Sequence, residues 1–190
     1  PDRSWNPEFN GSVIDIDVDE NEAYYYAAGY FTRAHNQVVE NAGRLSTAAG
    51  AELDQSWTFR HSYLIGKYQQ TVTAANGRVY FGGSQHSLFG YNSDTMTRTS
   101  GSITMYNGGD LQASTRSATG VVYASCHCSD YAFQDAYQYL TLGTTWTRAD
   151  EIQWVGGWDE ATGRQLGWTP YRLGSLRSSG AWALEMADDG

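Results

Sequence analysis

The stretch QTVTAANGRVYFGGSQ, residues 70–85, alternates polar and apolar residues, turns at Asn76-Gly77, and closes a second run on small residues. An Asn-Gly pair between two such runs is a strong hairpin signal, because a type I′ turn needs positive φ at both central positions. Two antiparallel strands joined at residues 76–77 are therefore expected. Two other stretches share the plan. SVIDIDVDENEAYYYAAGYF (residues 12–31) turns at DENE, and LQASTRSATGVVYASCHC (residues 111–128) turns at SATG. Tyr26, Tyr80 and Tyr123 fall in register, and Gly29, Gly83 and Cys126 each follow three residues later.

A second element follows each hairpin: residues 45–57, 91–101 and 158–170 again read strand, turn, strand. Ala49-Gly50 and Thr162-Gly163 take the same turn position, ahead of Leu53 and Leu166 by the same spacing. Four strands per repeat is the natural count. The tyrosine markers lie 54 and 43 residues apart, in the range of β-propeller blades with inserted loops. The fold class is thus all-β, with about three four-stranded antiparallel propeller blades over 11–57, 69–103 and 109–170. Residues 180–190 have the outline of the first strand of another. Propellers close with about four to eight blades, so the 190-residue chain is expected to form part of a larger propeller, the rest coming from continuing sequence or neighbouring subunits. The small residues at the ends of the second strands fit a place where neighbouring blades converge.

Composition agrees. Hydrophobic residues make up 41% and aromatics 14%, with 21 glycines, 3 prolines and Lys67 as the sole lysine. β-branched and aromatic residues suit a half-buried pleated surface. The net charge of −9 comes with no cluster of Lys or Arg, which argues against a nucleic-acid partner, since phosphate contacts need a basic face. No run approaches the roughly 18 apolar residues of a spanning helix, so no membrane insertion is expected. Without a start methionine, the chain reads as a processed product or a piece of something longer.

WNPEFNGSVIDIDVDENEAYYYAAGYFTR (residues 5–33) resembles the delta-60-type repeat of secreted bacterial β-propellers, with its Trp-x-Pro lead, Gly-Ser-Val strand and glycine-bearing second strand. WDEATGRQLGWTP (residues 158–170) is similar to the turn of quinoprotein-like blades. The text from VYFGGSQHSLFGYN through CHCSD and WVGGWDEATG to GAWAL is similar to large surface or secreted proteins of high-GC Gram-positive bacteria. YAAGYF keeps one glycine where that repeat prefers two, and YASCHC keeps none. The resemblance implies an extracellular location, or one at a cell or virion surface.

A secreted setting in turn implies a disulfide between Cys126 and Cys128. In a straight strand those residues stand about 7 Å apart, so a bend is required. Free thiols are one alternative. A structural metal ion on Cys126, His127 and Cys128, completed by His86 or Asp130, is another. No other cofactor is expected.

Residues 15–19 set Asp15, Asp17 and Asp19 at alternate places, like a calcium loop. An EF-hand needs glycine where Glu20 stands and glutamate where Tyr26 stands, and Ile14, Ile16 and Val18 interleave the acids. The segment reads as a strand with one apolar and one wet face. Asn10-Gly11-Ser12 fits a glycosylation acceptor and reads as a turn. His35, His61, His86 and His127 meet no nucleophile elbow or HExxH helix, so no catalytic residue is assigned. Trp5, Trp57 and Trp168 fall near blade ends, where they are expected to pack between sheets. Trp146 and Trp154 flank an expected loop insertion over 129–154 that also carries Tyr131, Tyr137 and Tyr139. Long loops of that kind carry function, and these five aromatics are the expected ligand-binding residues.

Three functions fit. The first is a non-enzymatic surface module presenting loops to a protein or glycan partner. The second is a structural subunit of a virion tail or surface fibre. The third is a secreted hydrolase or metal-dependent enzyme.

Overall fold

A computed structural model describes residues 3–59, 67–105, 109–139, 141–170 and 180–187, none of them helical; among these described residues no helix is long and apolar enough to cross a membrane. His61 lies outside the described residues. The strands are β1 (Val13–Val18), β2 (Tyr24–Gly29), β3 (Arg33–Ala34), β4 (Gln37–Val38), β5 (Ala42–Ser46), β6 (Gln69–Ala75), β7 (Arg78–Gly83), β8 (Ser87–Asn92), β9 (Arg98–Met105), β10 (Leu111–Arg116), β11 (Val121–Gln134) and β12 (Arg148–Asp159). They form three successive antiparallel units of a β-propeller. The first is β1-β2-β5, the second the meander β6-β7-β8-β9, and the third β10-β11-β12. In the first and third units the fourth-strand position holds a single bridge, Leu45 to Leu53 and Trp158 to Gln165. Residues 180–187 carry no strand pairing.

The three leading hairpins agree residue by residue. Tyr26, Tyr80 and Tyr123 lie opposite Asp17, Thr73 and Thr115, while Gly29, Gly83 and Cys126 lie opposite Val13, Gln69 and Leu111. Each hairpin breaks register at the same place, between Val13 and Asp15, Gln69 and Thr71, and Leu111 and Ala113. A shared bulge is a built feature that bends the strand and sharpens its twist. It makes Asp15, Thr71 and Ala113 equivalent, and likewise Ile16, Val72 and Ser114.

That equivalence exposes how the inner strands meet. Asp15 Oδ1 accepts the Ile16 N–H (2.9 Å) while Oδ2 accepts the Val72 N–H (2.8 Å) and the Thr71 hydroxyl (2.9 Å). Asp17 repeats the pattern, with Oδ1 on the Val18 N–H (2.8 Å) and Oδ2 on the Ala74 N–H (2.7 Å). Two carboxylates thus satisfy edge donors on both β1 and β6, groups that would otherwise invite another strand. Burial pushes the Asp17 carboxyl above its ordinary value despite these donors. At the next seam hydroxyls do the work: Thr71 and Thr73 Oγ1 stand 2.8 and 2.7 Å from Ser114 Oγ. Arg116 of β10 pairs with Glu20 in the first turn at 3.1 Å.

Apolar packing fills the seams behind this polar line. Tyr26 and Ala28 lie with Val72, Ala74, Val79 and Phe81. Tyr80 and Leu88 lie with Val122, Ala124 and Trp158. Trp57 is buried at the first seam, its ring 5.3 Å from Phe81, as expected for a tryptophan between sheets. Trp5 packs edge-on to Tyr25, and Trp168 edge-on to Tyr123 at 5.3 Å while remaining half-exposed. Small residues are needed where backbones converge: a Cβ on Gly29 would fall on the Ser12 carbonyl oxygen, and one on Gly82 would sit 2.8 Å from Leu111 Cβ.

Three expectations are corrected. The wet and apolar faces of β1 are exchanged, because the aspartates turn inward to cap β6 while Ile14 and Ile16 are exposed. The turn at residues 76–77 has positive φ at Gly77 alone, so it is not type I′. Asn76 is held by Glu160 Oε1, which accepts from its backbone N–H (3.2 Å) and from Nδ2 (2.6 Å). The insertion over 129–154 is strand at both ends: β11 continues to Gln134, β12 starts at Arg148, and Tyr131–Gln134 also pair with β9. Alternating Tyr131, Ala132, Phe133 and Gln134 can pair on both edges, which welds the second and third units into one sheet.

Replacing Asp15 with alanine strands the Val72 N–H, while the Thr71 hydroxyl keeps Ser114, at a cost of about 1–3 kcal/mol. Urea unfolding measures it, and an Asp15→Ala chain as stable as its parent would dispose of the bridging role. Gly29→Ala is expected to lose about 1–3 kcal/mol through overpacking in the same assay, more than alanine at Gly157, where a Cβ meets only Tyr123 and Val121 at an ordinary 3.5 Å.

Candidate functional site

At one end of the units, the chain entering β6, the β7–β8 turn and the chain entering β10 come together. Tyr68 stands one residue before β6 and Asp110 one residue before β10, at equivalent register positions. The Tyr68 hydroxyl donates to Asp110 Oδ2 at 2.7 Å, and Gln70 Nε2 donates to the same oxygen at 3.3 Å. Asp110 Oδ1 lies 3.6 Å from His86 Nε2. The half-exposed Tyr30 stacks on Tyr68 with centroids 4.5 Å apart. Tyr139 closes the row from the β11–β12 connection: its ring is 4.5 Å from the His86 ring and its hydroxyl 3.4 Å from Nε2.

The electrostatics follow from this geometry. His86 Nδ1 lies 3.3 Å from the Thr104 carbonyl, an acceptor, so the proton sits on Nδ1 and Nε2 offers its lone pair to the Tyr139 hydroxyl. Burial lowers the His86 pKa below its ordinary value, and the Asp110 charge only partly opposes this. Burial, then the hydrogen bond to Asp110, raises the Tyr68 phenol far above its usual range. Burial and the same carboxylate raise Tyr139. The result is a row of neutral rings around one carboxylate, with polar edges and flat apolar faces.

The cysteines sit in the register shift of β11 between Ser125 and Ser129. That bulge supplies the expected bend: the Cα atoms are 5.2 Å apart, the sulfurs touch, and both residues are fully buried. His127 stays apart from the sulfurs. Its Nδ1 accepts from Gln112 Nε2 at 3.1 Å, and its ring lies 5.8 Å from that of Trp182. His86 faces Asp110 and Tyr139 instead, and Asp130 pairs with Ile152 in the ribbon. Among the described residues no three His, Cys, Asp or Glu side chains gather as a metal-binding group.

The five expected aromatics do not form one site. Tyr139 joins His86. Tyr137 lies under Arg98, whose guanidinium is 4.4 Å from the ring centroid, and beside Phe89. Trp146, 44% exposed, stands edge-on to Phe133 at 5.3 Å, and the Tyr131 ring lies 6.3 Å from that of Phe133. Tyr131 also lines a cavity of about 300 Å³ with Ser129, Glu151, Gln153 and Thr169. Trp154 is only 6% exposed, at positive φ in β12 opposite the cysteine bulge, and cannot reach a ligand. Sequence reasoning missed Tyr30, Tyr68 and Asp110. Counting one residue back from the equivalent strands β6 and β10 finds the last two.

The depressed His86 value carries a sign. The native state binds this proton less readily than the unfolded chain, so the contribution to stability is complete above about pH 6.5. It is lost as pH falls through the lower folded value. An NMR titration is expected to place the imidazole below its ordinary value, and a midpoint at or above about 6.5 would contradict the burial argument. His86→Gln should abolish that segment of the stability profile.

No family model matches the chain, and no curated protein matches it. Solved structures similar to it include U3-55K, at 6% identity and a TM-score of 0.46 over 83% of this chain and 49% of that one. The WD40 beta propeller domain of Doa1 is similar at 10% identity and a TM-score of 0.45, over 83% and 68% of the two chains. BamB from Moraxella catarrhalis is similar at 11% identity and a TM-score of 0.40, over 88% and 66%. The chain spans about half the length of U3-55K.

Proposed function

We propose that the chain is a non-enzymatic propeller module, extracellular or exposed at a surface, whose Tyr30–Tyr68–His86–Tyr139 row binds a protein or glycan partner. The blade limits are 11–57, 69–103 and 109–170, in the manner of the secreted repeats that residues 5–33 resemble. The observation that carries this reading is the row itself. Five sequence-distant segments place four rings and the Asp110 carboxylate side by side, with Tyr30 open to solvent. Rings of this kind offer large contact area at small entropic cost and a polar tip for hydrogen bonding. The touching, buried Cys126 and Cys128 support a disulfide, and such pairs persist in oxidising compartments. A structural role in a tail or fibre is the second reading, favoured by the uncovered isoleucines of β1.

Binding to glycan and peptide arrays tests the first reading. Tyr30→Ala and Tyr139→Ala are expected to weaken any captured ligand by about 30-fold, the scale of an interface hot spot, while Trp146→Ala leaves it unchanged. Silence on both arrays, or binding indifferent to both tyrosines, removes the proposal. Alkylation of the denatured, unreduced chain should find no free thiol; two modified cysteines would refute the disulfide.

A further inference from the structure

At the centre of the ring row two acceptors face each other. Asp110 Oδ2 is taken twice, by the Tyr68 hydroxyl and by Gln70 Nε2. Among the described residues Oδ1 receives no hydrogen bond, and the only ion-pair partner of Asp110 is the His86 imidazole, with Nε2 at 3.6 Å. Burial keeps that imidazole neutral at physiological pH. The Thr104 carbonyl holds its proton on Nδ1, so Nε2 turns a lone pair toward the carboxylate. Two lone pairs so placed repel, and both call for a donor. The Tyr139 hydroxyl, 3.4 Å from Nε2, sets a third oxygen beside them. The corner is open to solvent, since the His86 and Asp110 side chains stay 17% and 18% exposed.

We propose that this corner takes a lysine ammonium from a protein partner, with Asp110 Oδ1, His86 Nε2 and the Tyr139 hydroxyl oxygen as its acceptors. An ammonium carries three N–H donors and no lone pair, which matches three acceptors. Its charge also offsets a carboxylate with which no Lys or Arg among the described residues pairs. A guanidinium fits less well, because its paired donors seek both oxygens of one carboxylate and Oδ2 is already occupied. A sugar hydroxyl brings one donor and no charge. The rings of Tyr68 and Tyr139 flank the acceptors; aromatic faces cover the apolar stem of a lysine and attract its cation. The net charge of −9, with Lys67 the sole lysine, draws basic segments of a partner toward the chain. The ammonium site lies within the proposed ligand row and depends on it, while the row can stand with another ligand.

Nα-acetyl-lysine amide is the probe, titrated into the intact chain to millimolar concentration and followed by the His86 imidazole resonances. Saturable binding is expected, and acetylating the ε-amine of the probe should weaken it about tenfold or more, the scale of one charge-assisted hydrogen bond. Asp110→Asn should weaken it as much with an unchanged far-UV spectrum. Protons compete for the same site. Once charged, His86 donates from Nε2 to Asp110 Oδ1 and repels an ammonium, with Tyr139 and His127 the other titratable groups near it. Binding is therefore full above the His86 midpoint and lost below it, and saturating probe should push that midpoint further down. A probe that fails to bind, binds equally well when ε-acetylated, or leaves the His86 midpoint in place overturns the ammonium site. Should a neutral glycan then bind and still need Tyr30 and Tyr139, the row survives without it. If no ligand on either array needs those tyrosines, both fall.

Discussion

Two carboxylates organise this molecule. Asp15 and Asp17 each spend one oxygen on their own strand and the other on the neighbouring one, so that β1 and β6 lie edge to edge without forming a ladder. A ladder would have merged the first two units into one flat sheet. Side-chain bridging keeps the strands apart by the length of a carboxylate while satisfying every donor involved, and the faces behind can then turn toward each other and bury Tyr26, Phe81 and Trp57. The burial supplies most of the free energy, since each large side chain removed from water contributes about 1.5–3 kcal/mol. The carboxylates decide the angle at which it can be collected.

The second seam solves the same problem with neutral groups. Thr71, Thr73 and Ser114 replace the acids, at lower desolvation cost than buried charge. A second tie at the far end of the units reinforces it: the Tyr80 hydroxyl donates to the Glu160 carbonyl at 2.7 Å, and the Glu160 carboxylate holds Asn76. The first seam has its own outer tie in Arg44, which pairs with Asp54, donates to the Ser93 carbonyl and lies 4.4 Å over the Tyr24 ring. Polar pins at the rim and apolar packing between them recur at both seams, with different residues in each role.

Much of this was legible in the text. The tyrosine markers and the small residues three places on predicted hairpins whose pairing agrees down to a common bulge, because a two-residue period and a close backbone approach both leave their mark on residue choice. What was not legible has physical reasons. Alternation in residues 13–18 shows that β1 has two faces but not which one is covered; only the edge donors of β6, some 57 residues away, decide that the acids turn inward. Residues 129–134 looked like loop because Ser129 and Asp130 are turn-prone, yet β9 and β12 both offered edges to pair with. The Tyr68–Asp110 bond joins residues 42 apart, and nothing local to either predicts the other. Trp154 was expected at a surface; the bulge opposite it turned it inward.

The long strand β11 has a mechanical consequence. It hydrogen-bonds to β10, β12 and β9, so the third unit is stitched to the second by backbone and cannot tilt without breaking a ladder. The first unit is attached to the second by side chains alone along its strand edge. Any breathing of the assembly therefore concentrates at one hinge line, between β1 and β6. Tyr30 rides on the moving side of that line and Tyr68 on the fixed side, so a ligand that wedges between their stacked rings would act as a latch on the whole array.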